Sequence, residues 1–245
     1  MRRDYLLTVE LLSDATFGRG DGVAGLVDQE VAHDDDGFPY IHGRTLKGLL
    51  RQECDNIVAV TPLARQERWR NAATRLFGIP GSTDAGVSAL HVGHGLLSDR
   101  LRRAVAAQMR AESKRNVHIH APITAADILA SLTTIRRQTA IDPVTGVPDA
   151  GSLRSMRVVV RGLSPDTPLA FISRLSFPTE PTTDMLTLLV LGTQALRHVG
   201  SGRNRGRGRA RCTLREAAAL GKDNDMVQPH LDRFLSDDAP AETRS

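Results

Sequence analysis

In this chain, segments whose apolar residues alternate as in strands and segments whose apolar residues are spaced as in helices follow one another in an order that few folds have. The run DYLLTVELL at residues 4–12 is short, apolar and partly alternating, which predicts a strand. Leucines spaced by three and four predict a helix at residues 44–58, and a second strong helix is predicted at residues 183–199. The segment RARCTL at residues 209–214 predicts a final strand. With strands between the two helices, this order predicts an α+β chain with a ferredoxin-like (RRM-like) βαββαβ core.

Further segments are predicted to be inserted into this core. Residues 62–77 and 99–115 have the pattern of helices, and residues 87–97 have the pattern of a strand. From residue 117 to residue 175 the pattern changes to strands and turns. A long loop rich in Gly and Asp, residues 13–43, precedes the first helix, and loops of this length in a compact domain are usually functional or mobile.

A hairpin is predicted at about residues 135–160, where the turn sequence DPVTG reverses the chain. It carries Arg136 and Arg137 on one arm and further arginines on the other. The whole pattern predicts one domain over residues 1–220, followed by a polar, flexible tail at residues 221–245.

Composition limits the possible partners. Of the 245 residues, 40% are hydrophobic, which is enough for a buried core and excludes overall disorder. The formal net charge is only +4, yet much of it lies in one arginine-rich stretch, and this indicates a polyanionic partner. Cys54 and Cys212 are far apart and form no CxxC spacing, so neither a zinc ribbon nor a disulfide framework is predicted. Two free thiols are typical of a reducing compartment, so a cytoplasmic protein is predicted. No apolar run reaches about 18 residues, so no membrane partner is predicted.

The arginine-rich stretch is HVGSGRNRGRGRAR, residues 198–211. An arginine occupies every second position from Arg203 to Arg211, and three of the four residues between them are glycine or alanine. Glycine lets a backbone approach a phosphate chain closely, and guanidinium groups pair bidentately with phosphates. A second basic group, Arg44, Lys47 and Arg51, recurs at helical spacing near a predicted helix N-terminus, where anions bind. Both segments therefore predict contacts with a nucleic-acid backbone.

Acidic and histidine residues supply candidates for chemistry. The long loop holds Asp28 and, nearer the helix, Asp34, Asp35 and Asp36. The triplet is interpreted as turn chemistry, whereas Asp28 stands apart from the turn. Two histidine pairs could ligate a metal or exchange protons, but neither has an evident third ligand and both are interpreted as structural; they are His91 with His94, and His118 with His120.

Four segments, in order, resemble the RAMP superfamily, the repeat-associated proteins of CRISPR effector complexes. GFPYIHGRTLKGLLR is similar to the family signature G-x-P-Y-I-P-G-S-S-L-K-G, and RLFG followed by a strand resembles the next landmark. The segment from TAIDPVTG to PLAF resembles part of the type III backbone subunits, and GSGRNRGRGRAR resembles the glycine-rich loop of the family. His42 and Arg44 depart from the signature, in the direction of the type III-D branch.

The resemblance implies a backbone subunit that binds guide CRISPR RNA, pairs it with complementary target RNA and contacts other effector subunits. It implies that the hairpin is a thumb that displaces one nucleotide of the duplex at regular intervals. Asp28 stands where cleaving subunits have their catalytic aspartate, which uses a divalent metal; Mg²⁺ or Mn²⁺ would bind weakly and only with RNA. The expected RNA-binding residues are Arg44, Lys47, Arg51, Arg136, Arg137, Gly200, Gly202, Arg203, Arg205, Gly206, Arg207 and Arg209.

Two other functions are consistent with the same residues. The chain could be a non-catalytic scaffold or cap subunit of the same complex. It could also be a stand-alone endoribonuclease that processes guide RNA with a histidine as general base. Cleavage abolished by EDTA would favour Asp28 with a metal, and cleavage that survives EDTA would favour histidine.

Overall fold

A computed structural model describes residues 3–79, 87–113, 122–164, 167–217 and 226–236 of the chain. Across these ranges, no helix has both the length and the apolar character of a transmembrane segment. In chain order the elements are β1 Arg3–Leu11, α1 Gly43–Val60, α2 Leu63–Phe77, β2 His91–Val92, β3 Leu96–Leu97, α3 Asp99–Ser113, α4 Ala125–Leu132, β4 Thr133–Gln138, β5 Arg154–Val159, β6 Gly162–Ser164, β7 Thr167–Pro168, β8 Ala170–Phe177, α5 Thr183–Ala195, β9 Ala210–Glu216 and α6 Val227–Ser236, with a 3-10 turn at Arg203–Arg205.

The central sheet has the strand order of a ferredoxin-like fold. β1 lies in the middle and pairs with β9 on one side and with β8 on the other, and β2 and β3 both pair with the far edge of β8. Every one of these pairings is antiparallel. With α1 after β1 and α5 after β8, this arrangement confirms the predicted βαββαβ core.

One face of this sheet builds the core. Alternate residues of β1 are buried, namely Tyr5, Leu7, Val9 and Leu11, and they pack in one cluster with the leucines of α1 and α5. The two helices touch closely at Gly192, where a Cβ would lie 2.5 Å from the sulfur of Cys54. The alternation in the sequence thus identifies the buried face correctly.

The strand predicted at residues 87–97 is two short strands instead. Between β2 and β3, Gly95 exchanges both backbone hydrogen bonds with Ile41, at 2.9 and 2.8 Å. This pairing joins the end of the long loop to the sheet, while Gly93 still donates to the carbonyl of Arg174 in β8 at 2.9 Å. His118 and His120, in the segment predicted to begin the strand-rich region, lie outside the described residues.

Two helices were not predicted. α4 lies in a region predicted as strands and turns, and its start is a capping box in which Thr124 and Asp127 bond each other's backbone N–H groups. α6 lies in the segment predicted to be a flexible tail. Its Phe234 ring packs 5.0 Å from that of Trp69, and Arg233 pairs with Asp184 at 3.3 Å. Residues 227–236 therefore form an ordered helix that packs against Trp69 of the core. The sequence does not reveal this contact.

Candidate nucleic-acid interface

The long loop between β1 and α1 is joined to the hairpin formed by β4 and β5. Ala15 exchanges backbone hydrogen bonds with Val159 at 3.0 and 2.8 Å. Further along, Gln29 accepts a bond from the N–H of Arg157 at 3.0 Å and forms a parallel bridge with Met156. The loop therefore lies beside β5 like an extra strand. Side chains of the long loop and of β5 are brought next to one another along this pairing.

A buried ion pair holds this junction. Glu30 Oε1 accepts from Nε of Arg157 at 2.8 Å, with the two side chains only 3% and 12% exposed. The same oxygen accepts from the N–H of Val31, and Arg157 also donates to Thr133 Oγ1. A buried charge without its partner is strongly destabilising, so substitution of either residue alone should lower the free energy of unfolding. The pairing of Glu30 with Arg157 joins residues 127 apart, and no sequence pattern indicated it.

Asp28, the predicted catalytic residue, is exposed but its side chain is held in place. Its Oδ2 accepts from the N–H of Ser155 at 2.6 Å and from the Ser155 hydroxyl at 3.2 Å. These bonds lower the pKa of the Asp28 carboxyl, the backbone bond most, with a smaller contribution from the charge of Arg154. Asp28 is therefore ionised at neutral pH.

Asp28 suits a metal ion that is shared with a substrate. In the ranges that the structure covers, no three His, Cys, Asp or Glu side chains converge as a metal site would require. Mg²⁺ keeps several water ligands and is commonly held by one or two carboxylates together with substrate phosphates. One oriented carboxylate fits Mg²⁺ or Mn²⁺ in that arrangement, and it does not fit a preformed protein cage.

The neighbouring aspartates have a different role. Asp34 Oδ1 accepts from the N–H groups of Asp36 at 3.2 Å and Phe38 at 2.9 Å. Its second oxygen pairs with Arg102 of α3 at 2.5 Å. The interpretation of this triplet as turn chemistry is confirmed for Asp34, which closes its own turn.

The glycine loop, residues 200–209, is a tight turn fixed at both ends. Ser201 donates to the carbonyl of Thr16 at 2.9 Å, and Val199 donates to that of Gly208 at 2.8 Å. Gly200 has a φ of +80°, and a Cβ there would lie 2.5 Å from the Thr16 oxygen. This glycine is needed for the fold of the loop itself, and not only for contact with a ligand.

At the tip of the loop, glycines flank the 3-10 turn Arg203–Arg205. Gly202 and Gly206 both have a φ of +73°, a conformation that other residues rarely adopt. A Cβ on Gly206 would meet nothing within 4 Å. The tip therefore has a bare, exposed backbone, and its contact with phosphate stays a prediction.

The arginines of the loop fall into two groups. Arg205 and Arg209 are exposed, and within the described part of the chain their side chains have no hydrogen-bond or ion-pair partner. Arg203 and Arg207 are half-buried: Arg203 lies 3.5 Å from the Gln52 oxygen of α1, and Arg207 contacts the sulfur of Met156. The half-buried pair thus orients the loop, while the exposed pair is available to a polyanion.

Two clefts lie on opposite sides of the ridge where the long loop meets β5. One, of about 500 Å³, lies between the ridge and the glycine loop and includes Gln29 and Met156. The other, of about 630 Å³, includes Asp28 and Ser155, the adjacent residues on each segment. Successive side chains of extended segments point to opposite sides, so this pairing separates the basic loop from the carboxylate by one backbone ridge.

The predicted basic face of α1 is divided by its contacts. Arg44 is exposed, and within the described ranges its guanidinium has no partner. Lys47 is half-buried and donates to Ser88 Oγ at 2.6 Å; burial lowers the pKa of its ammonium, and Arg51 lowers it further. Arg51 donates to the carbonyl of Gly78 at 3.1 Å and lies 3.6 Å from Asp55. The helical spacing did not distinguish the free cation from the two engaged ones.

On the hairpin, the two predicted arginines also differ. Arg136 pairs with Asp14 at 3.1 Å, so it fastens the hairpin to the start of the long loop. Arg137 is exposed and lines the cleft of Asp28. Of this pair, Arg137 is the one placed to meet a ligand beside the carboxylate.

A histidine cluster at the start of α1 was not predicted. The rings of His42 and His94 lie 5.6 Å apart, and Tyr40 contacts both at 4.9 and 5.1 Å. His94 Nδ1 accepts from the N–H of Gly43 at 3.1 Å, so this bond does not use Nε2 of the same ring. The pKa of His42 is lowered by burial, then by the charges of Arg44 and His94. His94 thus partners His42 and not its sequence neighbour His91, because the bond between Ile41 and Gly95 brings the two segments together.

Comparison with known proteins identifies the family. The family model described as the RAMP superfamily matches residues 8–211. Among solved structures, a chain of the type III-B Cmr-beta complex in the apo state is 13% identical, with a TM-score of 0.58 and coverage of 88% of this chain and 97% of that one. A chain of the same complex bound to cognate target RNA is 12% identical, with a TM-score of 0.58 and coverage of 86% and 96%. No curated protein sequence matches.

Proposed function

The chain belongs to the RAMP superfamily, and from this membership and the two clefts we propose that it is an RNA-binding backbone subunit of a type III CRISPR effector complex. Its partners would be guide CRISPR RNA, complementary target RNA and the other subunits of the effector. The similar folds in the type III-B Cmr-beta complex, one of them with target RNA bound, support this assignment.

The guide RNA would lie in the cleft of the glycine loop. Arg205 lines this cleft with a guanidinium group that has no protein partner among the described residues, and Gly202 and Gly206 leave the tip of the loop open. Arg209, equally without a partner there, lines a separate cleft beside His198 and would extend the contact. Arg44 would extend the contact along α1. Guanidinium pairs with phosphate regardless of base, which suits a subunit that accepts any guide sequence.

The target strand would cross the other cleft and be cut at Asp28. In this reaction the ribose 2′-oxygen attacks the adjacent phosphorus, the 5′-oxygen of the next nucleotide leaves and takes a proton from water, and a 2′,3′-cyclic phosphate forms. The Asp28 carboxylate would orient the 2′-hydroxyl and accept its proton, while Arg137 faces the charge that develops on the phosphate. A bound Mg²⁺ or Mn²⁺, held by Asp28 and the RNA, would supply further charge neutralisation at the phosphate.

One observation carries this proposal: Asp28 is oriented by Ser155 in a cleft that a single ridge separates from the glycine loop. A guide held on one side would present its paired target to the other. A carboxylate with only a structural role needs no open cleft beside it, whereas this one opens on about 630 Å³ lined by Arg137.

The test is Asp28→Asn in the assembled complex, because asparagine keeps an oxygen that can accept from Ser155 while losing the charge. We expect regularly spaced cleavage of labelled complementary RNA to fall by roughly 10²–10⁴-fold, with guide and target binding unchanged. Asp35→Ala, an exposed loop residue, is the matched control and should cleave normally. Full cleavage by Asp28→Asn, or a loss that parallels a loss of binding, would return the chain to the role of a scaffold.

A second candidate function follows from the histidine cluster. Two imidazoles whose ring centroids are 5.6 Å apart could act as general base and general acid on RNA without a metal. In that case cleavage would survive EDTA and be lost in His42→Asn. Cleavage abolished by EDTA would instead support Asp28.

A further inference from the structure

The central sheet has two faces, and only one of them belongs to the core. On the other, the open face, Ile172 is 38% exposed, and Leu6 and Leu96 are partly exposed. Among the described residues, these three apolar side chains neither belong to the core cluster nor pack against it. Apolar side chains grouped on one exposed surface mark sites of interaction, so the open face is a candidate for binding.

An uncharged row of side chains crosses the open face. In the strand register, Ile172 lies between Leu96 of β3 and Thr8 of β1. Thr8 in turn lies opposite Thr213 of β9. Residues directly opposite each other in antiparallel strands have their side chains on the same face. The row therefore joins four strands, and it is about 14 Å long because neighbouring strands lie about 4.8 Å apart.

Arginines flank this row on both sides. Arg174 and Arg215 lie on one side of it, two positions along their strands, and Arg211 lies on the other side. Arg174 pairs with Asp4 at 2.6 Å and Arg211 with Glu10 at 3.5 Å, yet these two arginine side chains are 63% and 66% exposed. Arg215 is exposed and has no ion-pair partner among the described residues. Three arginines beside two carboxylates give the surroundings of the row a net positive charge.

This positive face lacks what an RNA-binding sheet uses. Sheets that bind single-stranded RNA stack its bases on aromatic side chains. The aromatic residues of the described strands in the central sheet are Tyr5, Phe171 and Phe177, and all three are buried in the core. A second copy of this chain would bring a face of the same net charge, which opposes binding. The ligand that fits is a protein surface with apolar side chains for the row and carboxylates for the arginines.

We propose that another protein subunit docks on the open face through an acidic amphipathic helix. The inference rests on the proposed function, which gives this chain other effector subunits as partners, and it names the surface for one of them. Sheet faces are commonly covered by helices, and about 14 Å corresponds to between two and three helical turns. The apolar side of the helix would cover the row, and its carboxylates would meet the arginines on both sides. An apolar centre with a charged rim is the usual composition of a protein interface.

The test measures whether the open face becomes covered when the effector complex assembles. Thr213→Cys places a thiol in the row for labelling with a maleimide. The two native cysteines are buried, and burial raises the pKa of Cys212 to about 12, so they should react slowly. We expect the new thiol to be labelled about tenfold more slowly in the complex than in the free chain, because labelling then requires the partner to dissociate. Val60→Cys, 83% exposed at the end of α1, is the control and should be labelled at similar rates in both states.

Charge variants test the chemistry of the partner. Arg215→Glu should reduce the occupancy of one protein subunit in the complex about tenfold, because a carboxylate would then face carboxylates. Native mass spectrometry measures this occupancy, and the guide RNA should remain bound. Arg215→Lys keeps the charge and should retain the subunit. Ile172→Glu puts a carboxylate into the row itself and should release the same subunit.

Four outcomes would overturn the inference, and they separate it from the proposed function. Equally fast labelling of Thr213→Cys in both states would show that nothing docks on the row. Slow labelling already in the free chain would show that the chain covers this face itself. If Arg215→Glu keeps every subunit but loses binding of a 40-nucleotide oligouridylate, the face binds RNA, and the proposed function stands without the inference. If the unmodified chain neither binds this RNA nor joins an effector complex, the proposed function fails and the inference fails with it.

Discussion

The two basic segments of this protein, the α1 face of Arg44, Lys47 and Arg51 and the glycine loop, look equivalent in the sequence but differ in the structure. On α1, Lys47 donates to Ser88, in the segment before β2, and Arg51 to the carbonyl of Gly78 at the end of α2, so two of the three cations hold α1 against its neighbours. In the glycine loop, Arg205 and Arg209 are exposed without a protein partner among the described residues. A count of charges therefore overestimates the cations that α1 can offer to RNA.

The difference follows from where the two segments lie. α1 packs its leucines into the core, so residues on the flanks of that face meet neighbouring elements and their polar groups find partners there. The glycine loop is a turn whose tip projects away from the core, between two residues of positive φ. Unlike Arg203 and Arg207, the exposed Arg205 and Arg209 have no protein partner among the described residues, so their guanidinium groups are free for a ligand.

The largest expected effect tests the glycine loop. Arg205→Ala with Arg209→Ala should weaken binding of any RNA sequence about hundredfold at low salt and reduce the slope of log K against log salt by about 2. The Tm should not change, because neither side chain supports the fold. Filter binding over a salt series measures both quantities.

Arg100→Ala with Arg103→Ala, on the exposed face of α3, removes the same charge as a control and should have little effect on the Kd. Equal losses in the two double variants would mean that only net charge matters. Loss for particular RNA sequences alone would mean that the loop reads bases.

A smaller effect divides the α1 face. Arg44→Ala should weaken RNA binding roughly fivefold to tenfold with the Tm unchanged. Lys47→Met keeps the aliphatic stem but loses the bond to Ser88, so it should cost about 1 kcal/mol of the free energy of unfolding. Its RNA affinity should stay within about threefold of the unmodified chain.

Urea unfolding and anisotropy on the same preparations make this comparison. If Lys47→Met instead lost RNA binding with its stability intact, the Lys47 ammonium would bind RNA and would not stabilise the fold. The contrast between α1 and the glycine loop would then disappear.

The smallest expected effect is on pH dependence. Burial, with the charges of Arg44 and His94, lowers the pKa of His42 below its ordinary value of 6.5. The unfolded chain therefore binds more protons near this pH, so the stability contributed by neutral His42 is present above about pH 6.5 and is lost as the pH falls. His42→Asn should reduce the fall in Tm between pH 7 and pH 5 by about a degree.

His91→Asn, on exposed β2, is the control for this measurement. Over the same range the RNA contacts of the glycine loop should stay constant, because guanidinium does not titrate there. An identical pH profile for His42→Asn and the unmodified chain would show that the cluster at the start of α1 does not respond to protons.

Local signals predicted the elements with long periodic patterns. α1, α2 and α5 begin within a residue or two of their predicted starts, and β1 and β9 are where alternation indicated. The helix α4 was missed although its capping box, Thr124 and Asp127, is visible in the sequence, because the surrounding residues suggested strands. α6 was missed because its contacts are with distant parts of the chain, as Phe234 with Trp69 and His230 with Thr187.

The sequence by itself determined the order of elements, the buried face of the sheet and the positions of the arginines, since these depend on periodicity over a few residues. It also separated Asp28 from the turn that Asp34 closes. Only the tertiary structure decided which groups have partners: Ser155 on Asp28, Arg157 on Glu30, Ser88 on Lys47 and His94 beside His42. These contacts join residues about 40 to 130 positions apart, and they exist only after the sheet, the long loop and the hairpin have closed on one another.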